Sequence, residues 1–397
     1  MKQVAILGFG VVGSGVAEVL TGNGPGISRK ADDLIQLKYI LDVRDFPLSP
    51  FRDYFVKDFS VIEEDTEVDI VIETIGGVRA ALDFTERALK AGKSVVTSNK
   101  ELVAYHGRRL QELAEAHGVA YLFEASVGGG IPILRPLNEC MAANEILEIC
   151  GILNGTTNYI MTRMLRGGLS FEGALEEAQA NGYAEQDPTA DVEGYDTCRK
   201  ICILASIAFG WHVFPEQVPT VGIRGVTLGD MACGAACGRK IKLLGRAISN
   251  PDGTICAYVE PHLVCESNPL AGVEDVFNAI TVKGNVTGDV MFYGRGAGKL
   301  PTASAVVADV IAVARKMSRS GYRQWKSNRA DGAVSPDVLV SRWYVRLKSG
   351  DIADAEQIAA ESLPEGERAY LTSAMTRKDL DKKLKDTTVL SVMRLLD

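Results

Sequence analysis

The feature that most restricts the fold lies at the amino end. Residues 4–7 (VAIL) form an apolar run with strand character, which passes directly into Gly8-Phe9-Gly10-Val11-Val12-Gly13 and a helical stretch. The three glycines of such a turn have separate physical duties. The first permits the tight turn, the second lets a pyrophosphate approach the backbone, and the third lets helix and strand pack closely. The helix start then offers its unpaired N–H groups to phosphate charge. The spacing alone is weak evidence, because glycine-rich turns recur in many settings. Between an apolar strand and an amphipathic helix it points to a dinucleotide-binding turn.

The residues that follow keep alternating. A loop containing Gly22, Gly24, Pro25 and Gly26 leads to an expected strand, LKYILDV. Further strands are expected at 68–77, 94–100 and 119–126, with helices at 80–91 and 101–117. Strands alternating with helices imply a doubly wound parallel sheet, whose ligands gather at the carboxyl ends of its strands. Thr74, Gly76, Ser98, Asn99 and Lys100 fall at such ends. Cofactor choice turns on the end of the second strand. Asp42 suits the ribose of NAD, whereas Arg44, with Lys57 as a second cation, suits the 2′-phosphate of NADP. Two bases favour NADP; solvated loop charges are the plain alternative.

The chain has 397 residues, enough for two or three domains with real cores. Its net charge of -8 argues against nucleic acid or an anionic membrane as main partner. Only Met1, Lys2 and Gln3 precede the first apolar run, so no signal peptide is expected and the expected setting is cytoplasmic. Cys198 and Cys202, like Cys233 and Cys237, are four apart, a helical spacing, and histidines are few; free core thiols are expected in place of zinc or disulfides.

The densest chemistry lies between Asn181 and Lys200, NGYAEQDPTADVEGYDTCRK. Gly182, Pro188 and Gly194 make its first half a loop. From Asp196 onward the text is helical and mostly apolar, which puts Asp196 and Lys200 one turn apart on the same face. A partly desolvated lysine beside a carboxylate has an adjustable proton affinity and suits proton transfer to a small polar substrate. A surface salt bridge is the bland alternative, and the density of acids (Glu185, Asp187, Asp191) argues against it.

Two further segments carry polar turns. EASVGGGIPIL (124–134) can present backbone carbonyls to a monovalent cation or amides to an anion. In GILNGTTNYIMTRM (151–164), Asn154, Gly155, Thr156 and Thr157 suit either a bound carboxylate or a simple helix cap. Beyond Met317, residues 318–335 read as a linker rich in small and charged residues. Residues 336–397 then read strand, helix, strand, helix, strand, with DIADAEQIAAESL as the first helix.

The 181–200 segment resembles the GYxExDPxxDxxGxDxxRK signature of homoserine dehydrogenases, with every fixed position present. Further matching text includes SNK at 98–100, 151–164, IKLLG (241–245) and 292–311, so the resemblance spans roughly Lys2 to Met317. It implies reversible hydride transfer between NAD(P)H and L-aspartate 4-semialdehyde, giving L-homoserine. Lys200, set by Asp196, and Lys100 would share the acid/base role. Glu185, Asp191 and Tyr183 would hold the substrate, with Gly155 and Thr156 lining the site. A sodium or potassium site around Glu124, Val127, Gly129 and Ile131 would shape the loop between cofactor and substrate domains.

The fold expected is a Rossmann-type sheet (1–135), an α+β catalytic and dimerisation domain (136–317), the linker, and a small βα-type C-terminal module resembling the ACT domain. That module looks short by a strand, so threonine sensing and dimer stabilisation stand level. A homodimer or larger homo-oligomer is expected. Two rivals remain: a reductase of another small aldehyde or keto acid on this scaffold, and a non-catalytic dinucleotide sensor.

Overall fold

The structure, a computed structural model, describes residues 1–315, 322, 324–327, 332–360 and 363–397. The chain divides into two compact units: Met1–Glu145 with Cys202–Pro215 and Gly294–Asn328, and Ile146–Ile201 with Glu216–Tyr293 and Arg329–Asp397.

The first unit is built on six parallel strands, β1 (Lys2–Leu7), β2 (Ile35–Leu41), β3 (Phe55–Val56), β4 (Val68–Glu73), β5 (Ser94–Thr97) and β6 (Tyr121–Leu122), in the order β3-β2-β1-β4-β5-β6. Near-continuous apolar runs suit strands covered on both faces; Val4 to Leu7 and Ile70 to Ile72 are fully buried. The order reverses direction at β1, and its two neighbours leave a crevice at their carboxyl ends. The crossover helices are α1 (Val11–Gly22), α2 (Gly24–Ala31), α3 (Ser60–Glu64), α4 (Arg79–Lys90) and α5 (Lys100–Ala116). The glycine-proline stretch read as a loop is therefore helical in α2. Pro25 stands in its first turn, where no backbone donor is needed, and Ile27 and Ala31 bury one face.

The second unit contains β7 (Ile146–Ile152), α6 (Gly155–Gly167), α7 (Phe171–Ala180), α8 (Thr189–Val192) and the first turns of α9 (Tyr195–Phe209). It continues with α10 (Leu228–Ala236), β8 (Arg239–Ser249), β9 (Ile255–Cys265), β10 (Phe277–Gly284) and β11 (Gly288–Arg295). The chain then forms α11 (Lys299–Ala314), which packs on α1 in the first unit: a Cβ on Gly15 would lie 2.9 Å from the Lys299 carbonyl oxygen.

Of the expected linker, 318–321, 323 and 328–331 lie outside the described residues. Tyr322 and Trp325 are buried, and a Cβ on Gly107 would meet the Trp325 ring at 2.5 Å. The C-terminal segment runs β12 (Trp343–Ser349), β13 (Glu356–Gln357), β14 (Arg368–Leu371), α12 (Arg377–Lys383) and β15 (Thr388–Leu396). Its strands extend one mixed sheet, ordered β11-β10-β7-β8-β9-β15-β12-β14-β13. Of the residues expected to form its first helix (351–363), 361 and 362 lie outside the described residues; 351–360 contain instead a turn and the short β13, with Asp354 at φ 60°. Ala, Glu and Gln favour a helix there, but Ile352 and Ile358 are six apart, off any helical stripe. Both are buried, Ile352 within the cluster around Trp343. Tertiary burial overrides local propensity.

Candidate active site

At the carboxyl edge of the parallel sheet the glycine turn is held by close packing. A Cβ on Gly13 would sit 1.9 Å from the Gly8 carbonyl oxygen, whereas one on Gly10 would meet nothing within 4 Å. Gly10 thus leaves open the approach that a pyrophosphate needs, just before the first N–H groups of α1. Thr74 pins the turn from β4, its hydroxyl donating to the Leu7 and Gly8 carbonyls at 2.9 Å.

Beside this turn lies a cleft of about 640 Å³ lined by Gly8, Gly10, Asp42, Arg44, Lys57 and Thr74, among others. Phe9, Val11 and Val12 flank it differently. The Phe9 N–H donates to Asp42 Oδ2 at 2.7 Å and its ring packs on Phe46 and Phe55, while Val11 is exposed on the first turn of α1. Asp42 and Arg44, read as competing cofactor determinants, are bound to each other: Arg44 Nε and Nη2 reach the Asp42 carboxylate at 3.0 and 2.9 Å. The guanidinium holds the Asp42 carboxyl down at about 2. Lys57 is not a loose loop charge either. Its ammonium donates to the carbonyls of Asp42, Val43 and Arg44 and pairs with Asp45 at 2.7 Å. At the neighbouring strand end, Ser98 lies between β5 and Lys100, the first residue of α5.

In the first unit, the glycine run near residue 128 is explained by proximity. A Cβ on Gly129 would lie 2.5 Å from the Gly296 carbonyl oxygen. Glu124 is buried beneath the loop, and both its oxygens are engaged. They accept from the amides of Ile133, Leu134 and Arg135 at 2.7–2.9 Å and from the Tyr322 hydroxyl at 3.0 Å. Its carboxylate therefore serves the loop, and a cation here would have to be met by backbone carbonyls. Those of Val127, Gly129 and Ile131 accept no hydrogen bond among the described residues, which fits such a donor set. Among the described residues no cluster of His, Cys, Asp and Glu could hold a metal ion.

In the second unit, Lys200 and Asp196 are both buried and their charged atoms lie 2.7 Å apart. Lys200 also donates to the Leu153 carbonyl at 2.7 Å, so α9 and the turn just after β7 hold its ammonium from two sides. Asn154 joins the acids. Its Nδ2 donates to Asp191 Oδ1 at 2.6 Å and to Asp196 Oδ2 at 2.9 Å. Its Oδ1 meanwhile caps α6 through the Thr157 N–H at 2.8 Å. Gly155 tolerates no side chain, since a Cβ would lie 2.7 Å from the Val276 carbonyl oxygen. Thr156 donates its hydroxyl to the Tyr183 carbonyl at 2.7 Å, and the half-exposed Tyr183 ring stands edge-on to Tyr159. Glu185 is exposed, and Gln179 holds its carbonyl at 3.0 Å.

One segment thus gathers a buried ammonium, two acids and a helix start, the equipment for proton exchange next to a small charged substrate. The helix-cap reading had found Asn154 but not its reach to residues 37 and 42 positions away. Proximity of that kind leaves no local signal in the chain.

Two family descriptions match: "Homoserine dehydrogenase, NAD binding domain" over residues 8–124 and "Homoserine dehydrogenase" over 132–311. The homoserine dehydrogenase of Corynebacterium glutamicum is 41% identical over 365 residues, covering 90% of this chain and 81% of that one. The chain belongs to the homoserine dehydrogenase family. The Lactococcus lactis member is 37% identical, over 88% of this chain and 83% of its own. Among solved structures, the homoserine dehydrogenase of Thiobacillus denitrificans superposes with a TM-score of 0.90 at 33% identity, covering 100% of this chain and 98% of that one. A hyperthermophilic archaeal homoserine dehydrogenase in complex with NADPH superposes with 0.67 at 29% identity, over 79% and 98%. Membership makes this chain an NAD(P)-dependent oxidoreductase. Among the described residues no helix is long and apolar enough to cross a membrane.

Proposed function

We propose that L-homoserine and L-aspartate 4-semialdehyde are interconverted at the segment 153–200, with Lys200 as the acid/base. The observation that carries this reading is the chain Asp191–Asn154–Asp196–Lys200, which holds one lysine between two oxygen acceptors in a buried setting. The nicotinamide dinucleotide, when bound, accepts the hydride or returns it. Lys200, in its neutral form, takes the hydroxyl proton as the C–H bond breaks, and its ammonium returns the proton in the reverse direction. Asp196 orients it. Asp191 and Glu185 hold the substrate ammonium, Tyr183 covers the pocket, and the helix start at Gly155 and Thr156 receives the carboxylate. Lys100 is the second lysine able to share the proton, and comparing Lys100→Ala with Lys200→Ala assigns the step.

NADP is the preferred cofactor in this reading, because Arg44 and Lys57 line one end of a single cleft. A monovalent cation on the carbonyls of Glu124, Val127, Gly129 and Ile131 would stiffen that loop without taking part in the chemistry. The working form is a homo-oligomer. Reduction of NAD⁺ and NADP⁺ by L-homoserine at alkaline pH tests the reading. We expect faster turnover with NADP⁺. Arg44→Ala should raise the KM for NADP⁺ about tenfold, the effect of losing one charge-assisted contact, and leave NAD⁺ nearly unchanged. Equal KM changes for both cofactors would reject the phosphate role.

A further inference from the structure

Glu73, the last residue of β4, is fully buried and lies outside the machinery described above. One carboxylate oxygen accepts from the Ile75 N–H at 2.6 Å, and the other accepts from the Thr97 hydroxyl at 2.5 Å. The first bond shapes the turn after β4, where Gly77 has φ 79°. The second reaches the end of β5, directly opposite Glu73 in the parallel ladder. Thr97 Oγ in turn accepts the Asn99 N–H at 2.9 Å. The Asn99 side chain completes the circuit. Its Nδ2 donates back to the carbonyls of Ile75 and Gly77 at 3.2 and 2.7 Å, and its Oδ1 caps α5 through the Leu102 N–H. Lys100 is the first residue of that helix.

We infer that Glu73 is a positioning residue for dinucleotide binding, locking the 74–77 and 98–100 loops to one another through Thr97 and Asn99. The inference rests on reading this edge of the sheet as the dinucleotide site. The physical argument is one of cost and return. A carboxylate with no exposure forgoes its hydration, and an apolar residue of similar volume avoids that loss. A packing role alone would be served as well by leucine. What leucine cannot supply is a pair of acceptors aimed at two different loops, which keeps both in one geometry before the ligand arrives.

NADPH affinity by fluorescence, KM and kcat for both substrates, and thermal unfolding would be measured on the full chain for Glu73→Leu, Glu73→Gln and Thr97→Val. We expect Glu73→Leu to weaken NADPH binding about tenfold or more, with the homoserine KM within about twofold and the unfolding midpoint preserved. Glu73→Gln, which keeps an acceptor and the shape, should recover most of the affinity, and Thr97→Val should fall between the two. Wild-type affinity in Glu73→Leu overturns the inference. So does a Glu73→Gln variant as weak as Glu73→Leu, or a loss of affinity that tracks a loss of folding. If Glu73→Leu fails to fold, Thr97→Val decides alone: unchanged NADPH affinity rejects the role. Gly10→Val, whose Cβ would meet nothing within 4 Å, is the separate control. Undiminished NADPH binding there would reject the site itself, whatever Glu73 does.

Discussion

Two buried ion pairs in the same unit use different cations, and the two cations suit different work. In one, Lys200 lies on Asp196 and the Leu153 carbonyl. In the other, Arg346 of β12 spreads its guanidinium over the start of α10 and the residue just before β14. Its Nε meets Asp230 at 2.9 Å, its Nη1 meets Glu367 at 2.6 Å and its Nη2 meets Thr227 at 2.9 Å, while the Tyr344 hydroxyl adds a bond to Asp230. Arginine does not release its proton in a protein, and its rigid fork suits several fixed acceptors. Lysine is a compact charge whose proton can leave. The arginine cluster joins the C-terminal strands to the capped start of α10. The lysine pair stands beside the helix start that is proposed to meet the substrate.

The largest expected effect tests the lysine side. Lys200→Ala should lower kcat by roughly 10²–10⁴-fold, the usual share of a positioned acid/base, with NADPH affinity almost unchanged. Near-normal turnover would remove Lys200 from the mechanism and make the two pairs equivalent. Arg346→Ala should do the reverse: about 3–5 kcal/mol of stability lost to denaturant, with kcat per folded molecule intact. A selective loss of kcat in that variant would break the comparison.

Asn154→Ala should cost up to about a hundredfold in kcat/KM for homoserine, because it loosens both acids it holds without removing either. An effect equal for homoserine and the dinucleotide would mean that only the α6 cap had been lost. The smallest effect concerns a third buried cation, Lys242. It donates to Asn158 at 3.1 Å and to the Val273 carbonyl, and burial lowers its pKa to about 8. A depressed lysine contributes stability above its unfolded pKa and loses it as pH falls through the folded one. Lys242→Met should therefore gain stability relative to the parent as pH drops from about 10 to 7. A constant difference across that range would show that the buried acceptors hold the charge as well as water does.

Legibility differed between the regions for a physical reason. Gly8, Gly10 and Gly13, the strands around them and the pairing of Asp196 with Lys200 obey short-range rules of turn geometry and helical period, so they could be read along the chain. Asn154 as a bridge, Asp42 neutralising Arg44, and Glu124 feeding the amides of residues 133–135 arise from proximity between elements. The helix expected at DIADAEQIAAESL failed because composition favoured a helix while burial of Ile352 and Ile358 required an extended turn.

By itself the sequence determined the dinucleotide-binding half, the family and the pairing of Asp196 with Lys200, because these depend on glycine geometry and on spacings within a few residues. Tertiary structure alone decided which acids share Asn154, how the cations of the cofactor cleft are engaged, and how the C-terminal strands extend the sheet of the second unit. Those outcomes depend on which groups lose water together, and contacts across many residues settle that where local periodicity does not.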